Sequence, residues 1–88
     1  MTNPAPTPVF NCIVNVASTK DGRVVARVAN LAGIEAQGRT EREALAQAVA
    51  TFKAAVAQRH AAGEAIPWLP ETRQLQPGET QRFIAVHL

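Results

Sequence analysis

The chain of 88 residues has one cysteine, one tryptophan, no tyrosine and few charges, which make up 18% of its residues. A lone cysteine, Cys12, has no internal partner for a disulfide, which fits a reducing compartment. Scarce charge beside 47% hydrophobic residues excludes a disordered chain. No apolar run approaches the roughly 20 residues that a membrane helix needs. The start, MTNPAPTP, lacks the basic and then apolar blocks of a signal peptide, so the cytoplasm is the expected address. The length suits one domain.

Chemistry is equally thin. His60 and His87 are the only histidines, and neither is spaced with the other or with Cys12 as zinc ligands are. Ser18 is the only serine and Asp21 the only aspartate, and there is no GxSxG, P-loop or GxGxxG. The glutamates are scattered over one strand, a helix and loops, so several carboxylates are not expected to converge on a metal pair. The expectation is a non-enzyme with no metal and no cofactor. A pI near 9.3 suggests a nucleic-acid binder, but the net charge is only +2. The cations are dispersed, whereas phosphate-tracking surfaces cluster them. Direct nucleic-acid binding is therefore the weaker alternative, resting on Arg23, Arg27, Arg39 and Arg42. A small-ligand module is a third.

Three of the six prolines fall in residues 1–8, predicting a flexible arm ahead of a domain over 9–88. Phe10, Cys12, Val14 and Val16 alternate with Asn11, Ile13 and Asn15, the period of a strand with one face toward a core. Asp21-Gly22 predicts a hairpin. A second strand follows, with Val24, Ala26 and Val28 on one face and Val25, Arg27 and Ala29 on the other. A turn at Asn30-Leu31-Ala32-Gly33 precedes a short third strand from Ile34 to Gln37.

Thr40 with Glu43 fits a capping box, and Glu41 and Glu43 put negative charge at the positive end of a helix. From Glu41 to Ala62 there is no glycine or proline, and nine of the 22 residues are alanine, the strongest helix former. Leu45, Val49, Phe52 and Val56, with Ala48 and Ala55, make an apolar stripe. Gly63 stops the helix. The prolines in Ile66-Pro67-Trp68-Leu69-Pro70 keep that apolar segment out of helix and central strand. It is expected to fold back as a lid over the helix end or the sheet edge. A polar stretch with a Pro77-Gly78 turn leads to a last strand, Gln81 to Leu88, apolar on both faces.

The fold class is α+β: a three-stranded antiparallel meander, one long helix packed on one face, then a fourth strand, in the order β-β-β-α-β. One helix covers one face. Leaving a second apolar face wet would forgo roughly 1.5–3 kcal/mol per large side chain. The sequence thus predicts a homodimer or larger assembly that covers the free face or extends the sheet edge.

Asn30 to Val49, NLAGIEAQGRTEREALAQAV, resembles the signature of the HicB-like antitoxin family. Leu31, Gly33, Gly38, Thr40, Glu43 and Ala44 match its turn, short strand and capped helix in order and spacing. The preceding hairpin, the IPWLP segment and the final strand RFIAVHL extend the likeness over about residues 9–88. Ala32 stands where the family has proline, Arg39 where it has aspartate, and Asn30 where an acidic residue is frequent. The resemblance implies a partially RNase H-like fold, homo-oligomerisation and, in complete systems, neutralisation of a small mRNA-cleaving toxin. The family's DNA-binding module is not part of this stretch. Candidate partner or oligomer contacts are Val25, Glu35, Gln37, Arg39, Trp68, Phe83, Ala85 and His87.

Overall fold

A computed structural model describes residues 8–88. The arm expected over residues 1–8 lies outside the described residues apart from Pro8, whose carbonyl accepts from the Leu88 amide at 3.2 Å. The elements run β1 (Val9–Ser18), β2 (Val24–Val28), β3 (Glu35–Gly38), α1 (Glu41–Ala61) and β4 (Thr80–His87). They form one antiparallel sheet in the order β3-β2-β1-β4. The meander and the single helix are as the periodicities predict, and the last strand returns along the outer side of β1.

The β1–β2 hairpin closes over Asp21-Gly22, with Gly22 at a φ of +83° that favours glycine. Thr19 N donates to Arg23 O at 2.8 Å across it. At its other end the β1–β2 ladder is continued by a side chain. Asn30 Nδ2 donates to Asn11 O at 2.7 Å, and Asn30 Oδ1 accepts from Ile13 N at 3.2 Å. A carboxylate at position 30 would accept but have nothing to donate.

The helix covers the face that carries Cys12, Val14 and Val16 of β1, Ala26 and Val28 of β2, and Val86 of β4, all buried. Leu31 and Ile34 complete the same core cluster. Cys12 has no exposed surface, and burial pushes its thiol up to about 11, so at neutral pH it is a packed, protonated group. Thr40 caps the helix as its spacing with Glu43 predicts: its side chain accepts from Glu43 N at 3.1 Å. The Glu43 carboxylate reaches back one residue further, to Arg39 N at 3.4 Å. At the far end Glu64 N bonds Arg59 O at 2.9 Å and Gly63 N bonds His60 O at 3.1 Å. This is a Schellman ending with Gly63 at a φ of +69°.

The buried stripe of α1 is Ala44, Ala48, Phe52 and Val56: Ala48, Phe52 and Val56 are as the sequence predicts, and Ala44 joins them while Leu45 and Val49 lie at the edge. Those two larger residues are half-buried at the flank. Close approach to β3 sets which residue is buried at the helix start. A Cβ on Gly38 would stand 2.7 Å from Ala44 N and 3.0 Å from Glu43 Cβ, so only small residues fit where helix and strand meet. The Gly38→Ala variant should lose about 1–3 kcal/mol in urea unfolding. An unchanged unfolding midpoint would show that the helix start yields.

Candidate interaction surface

The face of the sheet away from the helix carries Asn11, Ile13, Asn15 and Ala17 of β1, opposite Ala85, Phe83 and Gln81 of β4 and Arg27 and Val25 of β2. The sequence predicts this face to be apolar and bare. The structure corrects that for the middle of the face, while at the β4 margin Phe83 and Ala85 are apolar and exposed. At its centre Asn15, 1% exposed, accepts at Oδ1 from Gln81 Nε2 at 3.1 Å and donates from Nδ2 to Arg73 O at 3.5 Å. Beside it Arg27 grips Glu79 Oε2 through Nη2 at 2.6 Å and Nε at 3.2 Å.

The segment from Leu69 to Glu79 is therefore a strap laid over the sheet. Leu69 N donates to Asn30 O at 3.1 Å and Arg73 N to Ala29 O at 3.0 Å. Each bond ties the strap to the end of β2. Glu79 anchors the other end. Its side chain is only 5% exposed, and its second oxygen accepts from Gln76 N at 2.7 Å. Burial pushes the carboxyl upward, but the Arg27 guanidinium and the Gln76 amide outweigh it and hold it below the ordinary glutamate range. These anchors bury Asn15 and Ala29 without a second helix.

The eight candidate contacts fall in three places. Val25 is half-buried on this face, and Glu35 and Gln37 are exposed on it along β3, with Arg39 exposed just beyond. Phe83, 66% exposed, lies with exposed Ala85 and His87 on β4. Glu35 and Gln37 of β3 and the β4 group are on opposite margins, three strand spacings or roughly 14 Å apart, with β2, which carries Val25, β1 and the strap between them. Trp68 joins neither. It bridges Leu31, and its ring, tilted to both, has its centroid 6.0 Å from Phe10 and 5.9 Å from Phe52. This is the lid position expected for the segment, at 40% exposure.

The four arginines of the nucleic-acid alternative do not converge either. Arg27 is bound to Glu79, and Arg23 sits 3.7 Å from Asp21 at the hairpin tip. Arg39 and Arg42 are exposed near the helix start. A depression of about 300 Å³ lies between Leu31, Ile34, Ala55, Ile66 and Pro67. It is mostly apolar, and the charge at its rim, Arg59, pairs with Glu64 at 3.5 Å. Among the described residues no group of three or more His, Cys, Asp or Glu is placed to hold a metal ion, and no helix is long and apolar enough to cross a membrane.

Sequence reasoning passed over Asn15, Arg73 and Glu79. The signal available was the polar half of the second-face pattern, Asn11, Asn15, Arg27 and Gln81, which asks for hydrogen-bond partners once covered. No family model, curated protein or solved structure matches the chain.

Two ion pairs offer a contrast. Arg82–Glu41, at 3.0 Å, links β4 to the helix start with both side chains more than 40% exposed, whereas Glu79 is enclosed. Glu79→Ala should cost about 1.5–3 kcal/mol, and Glu41→Ala less than about 1 kcal/mol, in denaturant titrations. The Glu79 contribution is present in full above the ordinary glutamate range and is lost as the pH falls through its depressed value. Acid should therefore narrow the gap between wild type and Glu79→Ala. A gap that is constant down to strong acid would contradict the anchor.

Proposed function

We propose that the chain is a non-enzymatic HicB-like protein that acts through protein–protein contacts, as the antitoxin of an mRNA-cleaving toxin or as a stand-alone relative. The observation that carries the reading is where the exposed surface lies. With one face under the helix and the middle of the other under the strap, the chain's unused recognition groups line the sheet margins. Side chains at the β3 margin offer one carboxylate, one amide and one guanidinium, from Glu35, Gln37 and Arg39. The Leu31–Gly33 turn that carries the family resemblance leads directly into that margin. The element order β-β-β-α-β, which the resemblance implies, supports it further.

A partner captured there meets a short polar edge, suited to side-chain recognition of a basic protein surface by Glu35 with hydrogen bonds from its neighbours. Arg27, which pairs with Glu35 in the β2–β3 register, is turned to Glu79 and leaves the Glu35 carboxylate available. The nucleic-acid alternative gains nothing from the separated arginines.

Co-expression with the product of the neighbouring reading frame tests the proposal. It should yield a co-purifying complex and rescue cells arrested by that product. Glu35→Lys with Gln37→Lys should weaken capture roughly tenfold, the scale of one well-placed contact, and leave the chain's melting temperature unchanged. No complex and no rescue would contradict the antitoxin role. Nucleic-acid affinity that falls steeply with salt would favour the alternative.

A further inference from the structure

The two edges of the sheet are built differently. β3 is four residues long and presents Glu35 and Gln37, a short, polar edge of the kind that resists pairing. β4 is eight residues long and pairs with β1 one-to-one from His87 to Thr80 without a bulge. It contains no proline, lysine or glycine. Its one arginine, Arg82, is drawn toward the helix by Glu41 at 3.0 Å. Among the described residues no strand lies on its outer side.

The backbone direction of that edge follows from the ladder. Leu88 N donates to Pro8 O in the register that sets Val9 opposite His87, so even-numbered residues of β4 turn their backbone groups toward β1. Ala29 N bonding Ile13 O agrees, since it turns the odd residues of β1 the other way, to β2. Gln81, Phe83, Ala85 and His87 therefore point N–H and C=O outward. Their side chains lie on the face that the helix does not cover, where Phe83 is the most exposed large apolar residue.

We propose that a second copy of the chain pairs with this edge, β4 antiparallel to β4, about a two-fold axis at Ile84. Among two-fold registers, only this one uses all four outward residues of each strand, by setting Gln81 opposite the second copy's His87 and Phe83 opposite its Ala85. It matches the large side chain with a small one. A shift centred on Phe83 would stack the two phenyl rings on the axis and leave His87 without a backbone partner. Arg82 then faces the second copy's Val86, so no like charges meet, and the net charge of +2 per copy opposes association weakly. The product is a continuous eight-stranded sheet whose two β3 margins remain open at its ends.

The pairing goes beyond the proposed function and is separable from it. A monomer that still captures its partner overturns the pairing alone, and a β4-paired dimer that captures nothing overturns the capture alone. Sedimentation of the full chain at micromolar concentration should give a dimer. Ala85→Pro removes an outward N–H, which an edge strand tolerates, and leaves the even-numbered bonds to β1 in place. It should weaken dimerisation roughly 10- to 100-fold through one lost bond in each direction. Phe83→Glu and Ala85→Lys, at exposed positions that do not threaten folding, should each weaken self-association, and mixing the two variants should restore a dimer because residue 83 faces residue 85. A monomeric wild type, a dimer indifferent to Ala85→Pro, or a mixture no tighter than its components would overturn the proposal.

Discussion

A sheet has two faces, and this chain has one helix to lay on them. Every other feature of the structure answers that shortage. The helix packs over one face with alanines at its closest approach to β3, and Gly38 makes room for it. The middle of the second face is covered by a strap, through its backbone groups and the Glu79 side chain. The strap brings amides and carbonyls onto the sheet, and such groups must find partners when covered. Asn15, Arg27 and Gln81 on the sheet side and Arg73 and Glu79 on the strap side form that set of partners. Buried polarity here is what lets a loop substitute for a layer.

The arrangement also decides where the molecule can meet others. A strap over the middle leaves the margins, and these differ in chemistry. One is short and polar, beside the turn and the helix start. The other is a long strand with an exposed phenylalanine and unused backbone groups. Protein recognition suits the first and strand pairing the second. Both uses can coexist because β1, β2 and the strap stand between them.

The strands, the turn at Asp21-Gly22, the capping box at Thr40 and the Schellman glycine were legible in the sequence because each is a local pattern with a local cause. Cys12 on the core face followed from its place in an alternation of two. The helix stripe was legible at Ala48, Phe52 and Val56 but not at Ala44, since that contact, Ala44 against Gly38, is between elements. The strap was not legible. Residues 71–79 are polar and irregular, and nothing local says that Glu79 meets Arg27 across 52 positions. The apolar members of the second face were weighed for their greasiness, while Asn15 and Arg27 beside them already required a polar cover. Val25, Glu35, Gln37, Phe83, Ala85 and His87 do lie on strands, but the sequence could not say that the sheet order puts β3 and β4 on opposite edges.

Cover over the second face requires the strap to lie on the sheet in solution. Hydrogen exchange at the Arg73 amide, which donates to Ala29 O at 3.0 Å, tests it most directly because that residue lies outside every strand and helix. A docked strap predicts exchange well below the rate of an unstructured peptide. Exchange at the rate of an unstructured peptide would mean that the second face is open and that the polar set at Asn15 and Arg27 serves some other cover.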